Sequence, residues 1–155
     1  MKQPNNQDRN FDDLAKRFKK NIYGGLKGDI RLSVLERDFR EQFPYVPFGT
    51  STPGQPLRVL DAGGGQGQFS LRFANAGHSV VICDISSEML KLAEQQVSEQ
   101  NLGSRVNLVH SSIQELSQHC EMSADKFDVV LCHAVMEWVA DPAALLVDLL
   151  DQLKP

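Results

Sequence analysis

From Leu57 onward, short apolar runs alternate with longer stretches whose apolar residues return every three or four positions. Leu57-Arg58-Val59-Leu60-Asp61, Ser79 to Cys83, Val106 to Val109 and Phe127 to Cys132 are runs of the first kind, mostly bounded by glycine, proline or polar residues. Near-continuous apolar strands of that length belong to a parallel sheet covered on both faces. Between them the spacing predicts a helix over residues 67–76 closed by Gly77, and a second from Ser87 to Gln100 ending near Asn101 and Gly103. Ser112-x-x-Glu115 has the form of a capping box opening a short helix, and Asp141-Pro142 supplies an N-cap and a first-turn proline for a last helix through Leu153. Alternating strand and helix predicts an α/β fold: a doubly wound parallel sheet with right-handed crossovers and strand order 3-2-1-4.

Upstream, Phe11, Leu14, Ala15, Phe18 and Ile22 fall at helical spacing behind Asn10, a candidate N-cap, with Asp12 and Asp13 in the first turn. Gly24, Gly25 and Gly28 are expected to break that helix, and another is expected from about Asp29 to Phe43, burying Ile30, Val34, Leu35 and Phe39. Pro44, Pro47, Pro53 and Pro56 then exclude regular structure. The expected organisation is a disordered start over 1–10, a helical lid and proline-rich linker over 11–56, and a Rossmann-like domain over 57–155. Only four strands precede Lys154-Pro155, which leaves strand four as an apolar edge. Natural sheets avoid such edges, so the domain reads as incomplete at its C-terminus and the edge as a surface for self-association.

Composition narrows the class. At 155 residues, 41% hydrophobic and 23% charged, the chain is globular rather than disordered. Three cysteines without a C-x-x-C pair argue for a reducing compartment and against a disulfide framework or a metal site; Cys83 and Cys132 lie in strand-like runs and Cys120 in a loop. With no apolar run near the ~20 residues of a membrane span and no signal-like start, a cytoplasmic location is expected. The net charge of −4 speaks against nucleic acid, yet residues 14–31 carry +5 and the remainder −9. That asymmetry fits a polyanion contact as well as a solvated helix face.

The candidate chemistry sits where strand one meets its helix. Asp61-Ala62-Gly63-Gly64-Gly65-Gln66-Gly67 is a glycine turn, and Asp84 ends the next strand near the ~20-residue spacing of a ribose-binding carboxylate. The dinucleotide fingerprint G-x-G-x-x-G needs a third glycine where this chain has Gln68. Asp61 would repel a pyrophosphate but complements a ligand carrying an ammonium and a sulfonium. These features favour S-adenosylmethionine over a nicotinamide or flavin dinucleotide, with Asp61, Gly63, Gly64, Gly65 and Asp84 as cofactor-binding residues. Trp138 is read as a core residue or helix anchor.

With those residues in view, the chain resembles the class I S-adenosylmethionine-dependent methyltransferases over nearly all of residues 11–155. A closer likeness lies in Asn10-Phe11-Asp12-Asp13, Asn21-Ile22-Tyr23-Gly24, Lys27-Gly28 and His133-Ala134-Val135-Met136-Glu137-Trp138-Val139-Ala140-Asp141-Pro142. These resemble the bacterial tRNA 5-carboxymethoxyuridine methyltransferase family, which esterifies the carboxylate of a modified wobble uridine. That resemblance implies tRNA as the substrate partner and cofactor contacts at Arg31, Gly63, Gly64, Asp84, Ile113, Gln114 and His133. A carboxylate acceptor is already ionised at neutral pH, which agrees with finding no nucleophile–base constellation. Methylation of a quinone or metabolite, and cofactor binding without catalysis, stay open on the sequence.

Overall fold

The computed structural model describes residues 8–10, 12, 25–44, 46, 55–119 and 126–155. The expected helix behind Asn10, Tyr23, Cys120 and most of the proline-rich linker fall outside these. Four strands, β1 (Arg58–Ala62), β2 (Ser79–Asp84), β3 (Val106–His110) and β4 (Val129–Leu131), form one parallel sheet in the order β3-β2-β1-β4, as the alternation of patterns predicts. Helices α1 (Leu26–Gln42), α2 (Leu71–Asn75), α3 (Ser87–Glu99) and α4 (Pro142–Gln152) complete it, with 3₁₀ turns at Ile113–Gln118 and Met136–Trp138.

The sheet is covered on both faces because its side chains alternate between two apolar clusters. Val59, Val80 and Ile82 point to one, with Phe39 of α1, Phe73 of α2 and Val97 of α3. Leu60, Val81 and Cys83 point to the other, with Leu116 of the 3₁₀ turn and Leu145 and Leu149 of α4. Burying a leucine- or phenylalanine-sized side chain contributes about 1.5–3 kcal/mol, so these alternating sets fix the register.

Caps account for the helix limits. Ser86 accepts the Met89 N–H at the start of α3, and Asp141 accepts the Ala143 and Ala144 N–H groups at the start of α4, with Pro142 in the first turn. Gly77 (φ +100°) follows α2, and Asn101, left-handed at φ +56°, follows α3.

Four local expectations need correction. Gly28 does not interrupt a helix; it lies buried inside α1. Ile30 and Val34 of α1 are 53% and 41% exposed rather than buried, because that face looks into a cavity and only Phe39 reaches the core. Phe39 packs edge-on against Phe69 and Phe73, with ring centroids 5.9 and 5.2 Å away, and a Glu36–Arg72 ion pair ties α1 to α2. Ser112 and Glu115 do not form a capping box: their side chains bond each other at 3.0 Å and the segment is a 3₁₀ turn. Finally, strand four is not wholly an open edge, since the Phe127 N–H donates to Gln152 O and the Lys154 N–H to Phe127 O, laying Leu153 parallel to Phe127.

Candidate functional site

Strand order reverses at β1, where β2 and β3 lie to one side and β4 to the other. Open α/β sheets bind ligands at such a switch point, outside the carboxyl ends of the strands. A cavity of about 930 Å³ opens there, bounded by the glycine turn, the end of β2, the loop after β4 and α1.

Its floor is the glycine turn. The Gly63 and Gly64 N–H groups both donate to Cys83 O, at 2.8 and 3.1 Å, which draws the turn onto the end of β2. Gly64 lies so close to Asp61 that a Cβ would stand 2.5 Å from the carboxylate carbon, and Gly67 (φ +71°) would bring one within 2.4 Å of Ile82 Cδ1. Only hydrogen fits at either position.

Two acids flank the turn. Asp61 is buried, and burial pushes its pKa up to about 6; the Ser70 hydroxyl bonded to it pulls the other way and the Asp84 charge adds to the rise. Such a group is poised to accept a cation, because a positive ligand replaces the solvation that burial removed. Both oxygens of Asp84, the expected ribose acid, already accept backbone bonds. Oδ2 accepts the Gly65 N–H and Oδ1 the Ser86 N–H, each at 2.8 Å. Burial raises its pKa while these two bonds lower it. A carboxylate has about four acceptor positions, so each oxygen keeps one for a hydroxyl.

Apart from the buried Ile113, the walls are less buried. Arg31 and Ile30 of α1, Ile113 after β3, and His133, Val135 and Trp138 after β4 all line the cavity. Of the expected cofactor residues, Arg31, Asp61, Gly63, Gly64, Gly65, Asp84, Ile113 and His133 are brought together around this space. Gln114 is not: its Nε2 donates to Asp8 Oδ2 at 3.1 Å. Trp138 is not core; it is 40% exposed at the rim.

Sequence reasoning missed the strap to which Asp8, Arg9, Asn10 and Asp12 belong. Asp8 Oδ1 accepts the Ala140 N–H at 2.8 Å, the Arg9 N–H donates to Trp138 O, and Asn10 Nδ2 donates to Ile85 O at 3.0 Å. Asp12 accepts from the Ser86 hydroxyl and the Glu88 N–H at the start of α3, which holds its pKa below the usual carboxylate value. Asp8, Arg9 and Asn10, expected in a disordered start, thus meet the loop after β4 and Ile85, and Asp12, expected in the first turn of a helix, meets the start of α3; Asp8 and Arg9 line the cavity. No local signal marks this, since Asp8 and Ala140 are 132 positions apart. Ile85 and Met89, also lining, were findable: both follow the acid that ends β2.

The residues present fit an adenosine ligand with a cationic end: a floor of glycine backbone at Gly63, Gly64 and Gly65, a buried acid beside it, a second acid with spare acceptor positions, and apolar side chains at Ile113 and Met89. Comparison with known proteins agrees in family. A family model described as a methyltransferase domain matches residues 59–155. The chain is 40% identical over 149 residues to the tRNA 5-carboxymethoxyuridine methyltransferase of Escherichia coli (strain K12), a match covering 96% of this chain and 54% of that protein. It is 34% identical over 99 residues to a ubiquinone biosynthesis O-methyltransferase of Haemophilus ducreyi, covering 63% of this chain and 41% of that one. Among solved structures, magnesium protoporphyrin IX methyltransferase from Synechocystis PCC 6803 with bound SAM superposes with a TM-score of 0.69 at 22% identity, covering 93% of this chain and 68% of that one. The chain spans about half the length of the curated relatives it matches.

Proposed function

This chain belongs to the methyltransferase-domain family, and on that premise we propose that its cavity binds S-adenosylmethionine and that the protein methylates the carboxylate of 5-carboxymethoxyuridine at the wobble position of tRNA. The observation that carries the reading is the 40% identity over 149 residues, a span that cannot omit α1 and so reaches beyond the glycine turn to the cavity wall bearing Arg31.

Bound S-adenosylmethionine would supply a methyl group on a positive sulfur; as an acceptor carboxylate oxygen bonds to that carbon, the C–S bond breaks and its electron pair stays on sulfur, giving an ester and a thioether with no proton to move. The chain's residues therefore bind and align rather than exchange protons, and alignment in such reactions is worth roughly 7–11 kcal/mol. Asp61 faces the ammonium and Asp84 accepts from the ribose hydroxyls. Arg31 offers a guanidinium fork to the methionine carboxylate, Ile113 packs on the adenine, and His133 stands at the rim.

The test is methyl transfer from labelled S-adenosylmethionine by the protein. Label should enter tRNA bearing the carboxymethoxy group and not tRNA lacking it, with binding that weakens steeply with salt as phosphate contacts require. Labelling of a quinol but neither tRNA would remove the tRNA claim and keep the methyltransferase claim.

A further inference from the structure

The proposed reaction brings an anion into a cavity that is itself acidic. Among the described residues the lining includes the acids Asp8, Asp38, Asp61, Asp84 and Glu137, two arginines, Arg9 and Arg31, and no lysine. An anion entering such a space is repelled unless a cation stands where it docks. Arg31 lies on α1 and, on the reading above, meets the methionine carboxylate. Arg9 lies elsewhere. Its N–H donates to Trp138 O at 3.0 Å, which fixes it on the loop after β4, while Asp8 on the Ala140 N–H and Asn10 on Ile85 O hold the backbone to either side. Asp8, its neighbour in sequence, turns one oxygen to that N–H and the other to Gln114.

We infer that Arg9 recognises the acceptor carboxylate, so that the strap supplies specificity for the methyl acceptor rather than affinity for the cofactor. The inference rests on the proposed carboxylate acceptor and adds the residue that reads it. Sheet order sets the geometry. The ends of β3 and β2 lead into Ile113, Asp84 and Met89, suited to adenosine, and β1 carries Asp61 for the ammonium, which leaves the rim beyond His133, at Trp138 and Arg9, for the acceptor. A guanidinium matches the shape and charge of a carboxylate. The acceptor's charge is consumed as the ester forms, so the bond from Arg9 is strongest to the substrate, weaker in the transition state and weakest to the neutral product. Arg9 therefore selects the acceptor and lets the ester go without speeding the chemical step.

The test titrates anticodon stem-loops bearing 5-carboxymethoxyuridine, its methyl ester or plain uridine at the wobble position onto the protein saturated with S-adenosylhomocysteine. The parent should bind the carboxylate form about tenfold tighter than the other two, the effect of one bond to a charged group. Arg9→Gln should bind all three alike, at the parent's affinity for the ester, with an unchanged melting temperature and a Kd for S-adenosylhomocysteine within about twofold of the parent value. Arg9→Lys keeps the charge without the fork; it should retain part of the preference and covers a folding failure of the glutamine variant. In methyl transfer, Arg9→Gln should raise KM for the carboxylate form about tenfold without lowering kcat, the mark of binding lost from the ground state. A preference that survives in Arg9→Gln would overturn the inference by giving the carboxylate to another group. Equal weakening of all three stem-loops and of S-adenosylhomocysteine would overturn it by making Arg9 structural. A parent that binds the three stem-loops alike would overturn the acceptor reading itself, and the role of Arg9 with it.

Discussion

The floor and the walls of the cavity are built by different physics. The floor is backbone against side chain at van der Waals limits: Gly64 on Asp61, Gly67 on Ile82, and Gly63 and Gly64 bonded to Cys83 O, all inside the buried junction of β1 and β2. The walls are partly exposed side chains from α1, the loop after β4 and the strap at Asp8 and Arg9, joined mostly by single hydrogen bonds at the surface. The floor therefore shares the stability of the core, whereas the walls belong to the part of a fold that opens first. Substitutions in the floor should register in global unfolding, and those in the walls in affinity and local exchange.

The largest expected effect is at Gly67. Gly67→Ala places a Cβ within 2.4 Å of Ile82 Cδ1 on backbone held at φ +71°. A left-handed alanine and an overfilled core contact together cost about 2–4 kcal/mol, to be read as a lower urea midpoint. Gly103→Ala, with nothing within 4 Å of its Cβ, is the control and should stay within about 0.5 kcal/mol of the parent. Similar losses at both would mean that the floor is no tighter than a surface loop.

Asp61→Asn comes second and separates folding from binding. The folded-state pKa of Asp61 stands at about 6 against 3.8 for the free group, so the folded chain holds a proton that the unfolded chain has released. Stability from this group is greatest below about pH 4 and declines as pH rises through about 6. The asparagine variant should lose that decline and unfold at higher urea than the parent at neutral pH. A ligand that sets its ammonium against Asp61 acts oppositely by favouring the ionised acid: parent affinity for S-adenosylhomocysteine, which keeps that ammonium, should rise with pH through about 6, and Asp61→Asn should weaken it about 10- to 100-fold with a flat profile. A variant that loses stability at neutral pH and keeps its affinity would show Asp61 to be structural.

The same division explains what was legible in the sequence. The glycine turn, Asp61 and Asp84 were readable because each is set within one strand–turn–helix unit, and so was the strand order, because alternation along Val59, Leu60, Val80 and Val81 encodes both faces of the sheet. The walls were not. Ile30 and Val34 have the spacing of a core face, and periodicity reports that a face is apolar without saying whether it meets a core or a cavity. Gln114 was expected at the cofactor, but its side chain is held by Asp8 from the other end of the chain. Ser112 and Glu115 matched a motif whose backbone geometry the 3₁₀ turn does not supply.

Asp8→Ala should have the smallest effect and is the closest probe of the boundary between floor and walls. The substitution removes the acceptors of the Ala140 N–H and of Gln114 Nε2, both exposed, so solvent replaces most of what is lost and the cost should be below about 1 kcal/mol. The Arg9 N–H bond to Trp138 O and the Asn10 bond to Ile85 O still hold the strap. The urea midpoint should therefore stay close to the parent value, while the Ala140 and Arg9 amides exchange faster with solvent. Affinity for S-adenosylhomocysteine should fall only two- to threefold, roughly 0.4–0.7 kcal/mol, because the strap borders the cavity without supplying the charge this ligand meets. If Asp8→Ala instead lowered the midpoint as far as Gly67→Ala, the strap would unfold with the core and the distinction between floor and walls would fail. A loss confined to exchange and affinity would place the cooperative boundary at the carboxyl ends of β1 and β2.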